Sequence, residues 1–114
     1  MAKNLFQKIA DGEIPADIIY SDDEIVAFKD INPQAPFHAL IIPRKPIPTI
    51  LDVQPEDSLL IGRMFQIANK LARDYGYDEN GFRLVINCKE YGGQDVYHLH
   101  LHLLAGRKMT WPPG

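Results

Sequence analysis

The 114-residue chain has one cysteine, Cys88, one tryptophan, Trp111, and only four histidines. A single thiol cannot form an internal disulfide, so a reduced, cytoplasmic setting is expected. Cys88 follows a strand-like run and reads as a small strand residue rather than a nucleophile. No apolar run approaches the ~18 residues that span a bilayer, and no membrane partner is expected. The opening Met1-Ala2-Lys3-Asn4-Leu5-Phe6 lacks the apolar stretch of a signal peptide. Basic residues are scattered, with 12 Lys+Arg against 15 Asp+Glu and a formal net charge of −3. Without a basic cluster the chain offers no surface for duplex nucleic acid, although backbone N–H groups can still hold a small phosphate ligand. Short repeats and low-complexity tracts are missing as well. The length suits a single domain spanning residues 1–114.

Three of the four histidines stand in one row, His98-Leu99-His100-Leu101-His102-Leu103. On an extended strand alternate side chains share a face, so the imidazoles would line one side and the leucines the other. Histidine is the side chain whose ordinary pKa lies nearest neutrality. Such a row, backed by an apolar face, points to a reactive centre or a metal site.

Local signals supply the rest of the fold. Asn4 suits the N-cap of a short helix through Ala10, with Gly12 past its end and Leu5, Phe6 and Ile9 on its apolar face. Ile18 to Tyr20 and Ile25 to Lys29 read as strands of a hairpin turning at Asp22-Asp23. A loop with Pro33 and Pro36 leads to a strand from His38 to Ile42, which Pro43 closes. Pro55, Glu56 and Asp57 open a helix whose stripe is Leu60, Met64, Ile67, Leu71 and Tyr75, with Gly76 as its C-cap. Phe82 to Cys88 and Val96 to Leu104 read as two further strands, paired antiparallel across the Gly92-Gly93 break. The expected fold is α+β, an antiparallel sheet of about five strands. One long helix would pack on Leu99, Leu101 and Leu103, and the histidine face would meet a ligand.

Two chemistries suit the row. Zinc is often held by three histidines with an open fourth position, but three consecutive same-face residues span ~13 Å between outer Cα atoms, a long reach for one ion. Alternatively the middle imidazole is a nucleophile, held in one tautomer by a backbone carbonyl, with its neighbours stabilising charge on the substrate. Gly92-Gly93 would let backbone N–H groups approach an anion, and Asn87 offers a neutral donor. Periodicity alone does not choose between them.

The segment His98 to Leu104 resembles the His-x-His-x-His-x-x signature of the histidine triad superfamily. Asp30-Ile31-Asn32-Pro33-Gln34-Ala35-Pro36, His38 and Ile41-Ile42-Pro43 are similar to that family's N-terminal half. Gly92-Gly93-Gln94, Val96-Tyr97 and the tail Trp111-Pro112-Pro113-Gly114 resemble its nucleotide-binding (Hint) branch. The resemblance implies a homodimer with joined sheets, no cofactor or metal, and hydrolysis of purine nucleoside phosphoramidates and acyl adenylates. It implies that His100 attacks the α-phosphorus to form a nucleotidyl-histidine, which water then cleaves to the nucleoside monophosphate. His102 would touch the phosphate, with His98 and His38 supporting the nucleophile. Asp30 would hold the ribose, and Phe6, Ile9, Phe28 and Ile31 would form the purine slot. Asn87, Gly93, Gln94 and Asp95 would follow the phosphate-binding stretch, and Trp111 would lie near the partner's site. Asp95 departs from the serine usual in that branch: an ionised carboxylate accepts hydrogen bonds but donates none. It would either take up a proton and serve as the acid for the leaving amine or swing away from the phosphate. The other function class is a nucleotide-binding or scaffolding protein with incidental hydrolysis. A metal-dependent hydrolase and a related nucleotidyl transferase or dinucleotide hydrolase complete the alternatives.

Overall fold

The computed structural model describes residues 2–114. A five-stranded antiparallel sheet, in the order β1-β2-β3-β5-β4, carries a long helix on one face and a short one on the other. Helix α1 (Leu5–Ala10) starts with a reciprocal cap. Asn4 Oδ1 accepts the Gln7 N–H at 2.8 Å, and Gln7 Oε1 accepts the Asn4 N–H at 3.0 Å. Strands β1 (Ile18–Ser21) and β2 (Ile25–Lys29) form the expected hairpin. The Asp22 carboxylate sets its turn by accepting the N–H groups of Glu24 and Ile25, both at 2.8 Å.

Strand β3 (Phe37–Pro43) is buried along its whole length because both faces of the sheet are covered. Ala39 and Ile41 join Ile25 and Ala27 under helix α2 (Ser58–Asp74), whereas Leu40 and Ile42 join Val26 and Phe28 beneath α1. Leu99, Leu101 and Leu103 face α2, where Met64, Ile67 and Leu71 meet them, as the alternation predicts. Tyr75, expected to end the buried stripe, is instead 43% exposed and packs its ring on Phe37 at 4.7 Å between centroids. The helix closes there and Gly76 takes φ +81°, so Tyr75 lies past the last turn aimed at the core.

Two expected strands are shorter. Strand β4 (Phe82–Val85) stops before Cys88, and β5 (Leu101–Ala105) starts well after Val96. Between them lies a one-turn helix, α3 (Lys89–Gly92), which Gly93 ends at φ +76°. The backbone from Gln94 to His100 finds partners other than a neighbouring strand. Leu99 N–H donates to Ile47 O at 2.7 Å, and Val96 O accepts from the Gln94 side chain at 3.1 Å. His98 and His100 therefore sit on a shaped loop entering β5, and only His102 lies within the strand.

Candidate active site

Each chain of hydrogen bonds through the histidine rings includes a backbone group that can act in only one way, so the tautomers follow from the hydrogen bonds. His98 is fully buried. Its Nε2–H donates to Pro43 O at 2.7 Å, and its Nδ1 accepts the Asn4 side-chain amide at 3.0 Å. Asn4 is oriented because its own oxygen is taken by the helix cap. His98 in turn presents its backbone carbonyl to His100, whose Nδ1–H donates to it at 2.7 Å. The lone pair of His100 therefore resides on Nε2. The Phe6 ring completes this support, its centroid 5.0 Å from that of His100 and its plane perpendicular to it.

A second chain of hydrogen bonds begins at a backbone donor. Gln34 N–H donates to His38 Nδ1 at 3.0 Å. The proton of neutral His38 is thus on Nε2, which donates to His102 Nδ1 at 2.9 Å. His102 then carries its proton on Nε2, free for a ligand. Arg107 steadies the same residue by donating to Gln34 O at 3.0 Å.

Burial favours the neutral rings. It pushes His38 down against the opposing pull of Asp30. It lowers His98 too, against the Pro43 carbonyl and with the help of His100. His102 is lowered to about 4, by burial first and then by His100 and His38, with Asp30 and Asp95 pulling the other way. All three are uncharged at neutral pH.

His100 and His102, 5.0 Å apart between ring centroids, open into a cleft of about 260 Å³. Phe6, Ile9, Phe28 and Ile31 supply apolar walls, and Asp30 and Asp95 supply carboxylates. Seven of the expected ligand residues are thus brought together with His100. Asn87, Gly93, Gln94 and Trp111 do not line the cleft. The Asn87 amide donates to Gly92 O at 2.6 Å, and Gln94 spends its amide on Lys89 N–H, Pro48 O and Val96 O. These contacts shape the loop that presents Asp95 and the histidines. Trp111 stands 82% exposed.

Sequence reasoning did not assign Asn4 and Gln34 to the site. Asn4 was legible only as a helix cap, and the spare amide of that cap carries its second role. Leu40 and Val96 also line the cleft. The period of β3, which puts Leu40 on the His38 face, was the available signal for the former. Asp30, His38 and His102 each offer a ligand atom, all within 4.8 Å of one another. This trio differs from the three-histidine row weighed as a metal site. A cation there would displace the proton His38 shares with His102. A larger depression of about 550 Å³ beside Tyr77, Asn80 and Arg107 has no histidine in its lining.

The chain has relatives among known proteins. Residues 11–109 match the HIT domain model, and the chain belongs to that family. It is 50% identical over 107 residues to the purine nucleoside phosphoramidase of Escherichia coli K12, covering 94% of this chain and 90% of that protein. An uncharacterised HIT-like protein of Synechocystis is 52% identical over 110 residues, 96% of each chain. Among solved structures, a HIT family hydrolase from Legionella pneumophila superposes with a TM-score of 0.96 at 57% identity, over 98% of this chain and all of that one. A histidine triad protein from Clostridium difficile follows with a TM-score of 0.93 and 41% identity, covering 96% of this chain and 97% of that one.

Proposed function

We propose that this protein is a purine nucleoside phosphoramidase that works through a covalent nucleotidyl-His100. The observation that carries this reading is the His100 Nδ1–H bond to the His98 carbonyl, which leaves Nε2 as a free base at the cleft. In the first step Nε2 attacks the α-phosphorus and forms a P–N bond to the imidazole. The original P–N bond breaks, and its electron pair leaves with the amine, which takes a proton from water. The His98 carbonyl stabilises the positive charge that develops on the His100 ring. His102 Nε2–H donates to a phosphate oxygen, in a tautomer that His38 maintains. In the second step water attacks phosphorus, the imidazole leaves, and nucleoside monophosphate is released.

The remaining walls suit the rest of the substrate. Phe6, Ile9, Phe28 and Ile31 form a slot of the right character for a purine, and the Asp30 carboxylate can accept from ribose hydroxyls. Similarity to the Escherichia coli protein, whose name states this activity, supports the assignment. A homodimer belongs to the same reading. Strands β1 and β4 are both open sheet edges, and Arg83 on β4 holds the tail at Thr110 O, beside the exposed Trp111.

Rapid quench of the enzyme with an adenosine 5′-phosphoramidate, read by intact mass, tests the mechanism. The wild type should show an added nucleotidyl group. His100→Ala should lose both adduct and turnover while still binding nucleotide, and hydrolysis retained in that variant would overturn the proposal. The Asp30–His38–His102 grouping is the observation that favours a metal-dependent hydrolase instead. Full activity in excess chelator is expected, and its loss would support the metal.

A further inference from the structure

The cleft proposed to bind a phosphate presents two carboxylates of its own. Its lining holds Asp30 and Asp95, and the one basic residue there, Lys29, turns its ammonium elsewhere. Lys29 Nζ lies 3.8 Å from the Asp17 carboxylate and 5.9 Å from the Tyr75 ring centroid, and neither residue lines the cleft. The two lining histidines bring no compensating cation, since His102 is uncharged at neutral pH and His100 must stay unprotonated to attack. Asp30 is partly engaged, accepting the Asn32 N–H at 2.8 Å and standing 3.5 Å from His38 Nε2. Asp95 is exposed and enters no hydrogen bond or ion pair among the described residues.

Matching walls to substrate leaves one part on each side unassigned. The apolar slot takes the base, Asp30 the ribose, and His100 with His102 the phosphate. What remains is Asp95 in the protein and the leaving group in the substrate. An unpaired carboxylate beside a phosphate repels it unless a positive charge lies between or beyond them. A leaving group that carries an ammonium supplies that charge and gives Asp95 the partner it lacks within the chain.

On the phosphoramidase reading, we infer that Asp95 is a specificity-determining residue that selects substrates whose leaving group bears a cation, such as the second ammonium of a diamine or the α-ammonium of an amino acid. The residue does not take part in bond-making. Its charge favours a cationic leaving group in the bound complex and disfavours an anionic one. The reaction itself is unchanged: the P–N bond breaks and the amine departs as above.

Three adenosine 5′-phosphoramidates of similar size test this, with leaving groups 1,2-diaminoethane, propylamine and glycine, assayed at low salt with chelator present. The expected order of kcat/KM is cationic, neutral, anionic. Each step should be roughly fivefold, the scale of one partly solvated ion pair, and should shrink as salt is raised. Asp95→Asn should flatten the order, read as the ratio between substrates within one enzyme. Asp95→Glu should restore it, and thermal unfolding of both variants checks that they are folded. A wild type that turns over all three substrates equally overturns the inference and leaves the phosphoramidase reading standing. An order that persists in Asp95→Asn also overturns it. If the wild type hydrolyses none of the three, the phosphoramidase reading fails and this inference fails with it.

Discussion

His100 owes its free Nε2 to one backbone carbonyl, and His102 owes its Nε2–H to one backbone N–H two hydrogen bonds away. Long-range proton–nitrogen NMR correlations should therefore find His38, His98 and His102 protonated on Nε2, and His100 alone protonated on Nδ1. A His100 ring protonated on Nε2 would contradict the nucleophile assignment. Asn4 is the most economical place to disturb this support, because it caps α1 and also donates to His98 Nδ1. Asn4→Ala should lower unfolding stability by about 2 kcal/mol in urea titration, combining a lost cap with an unpaired buried ring nitrogen. Asn4→Asp keeps the cap but offers the ring an anion in place of a donor. It should recover much of the stability and raise the pKa of His98, measurable by NMR titration. At this scale the residue types were readable in advance, since a row of histidines and a capping asparagine are local patterns. Their hydrogen-bond partners were not, because Asn4 and His98 are 94 residues apart.

Helices and the hairpin follow closely from local chemistry, whereas the two strands around the site do not. The apolar stripe of α2 and the reciprocal cap of α1 are short-range signals that the tertiary context reinforces. The alternation from Val96 to Leu104 assigns faces correctly, with leucines toward α2, yet overstates the strand. Alternation reports which side is buried but not whether the backbone has a strand neighbour. Here Ile47 O and the Gln94 side chain take hydrogen bonds that a ladder would have used. Glycines at element ends give a direct test of the turns. Gly76 and Gly106 both have positive φ, +81° and +98°. A methyl on Gly76 meets nothing within 4 Å, while one on Gly106 would lie 2.8 Å from Pro36 Cβ. Gly76→Ala should cost about 1 kcal/mol, and Gly106→Ala about 2–4 kcal/mol, since strain and overlap add. Urea unfolding of the two variants would show that difference, and equal losses would mean the loop at Pro36 yields freely.

Across the whole molecule, the site couples catalysis to stability through buried neutral histidines. His38, His98 and His102 all have folded pKa values below their ordinary one. Over the interval between the lowered and the ordinary values the unfolded chain binds more protons than the folded one. Stability therefore rises with pH through that window and is lost as pH falls below about 6.5, with the His102 contribution running down to about 4. These groups add no slope above it. Denaturation midpoints measured from pH 8 to pH 4 should be flat at first and then decline. Replacing His102 with a neutral residue should reduce the decline. By itself the sequence determined the elements with local periodicity, the faces of the histidine row, and the types of residue able to bind a nucleotide. Those properties depend on side-chain spacing and charge over a few positions. Only the tertiary structure decided which nitrogen of each ring is free, which carboxylate lacks a partner, and which of the expected residues line the cleft. Those properties are settled by hydrogen bonds between segments that the chain keeps far apart until it folds.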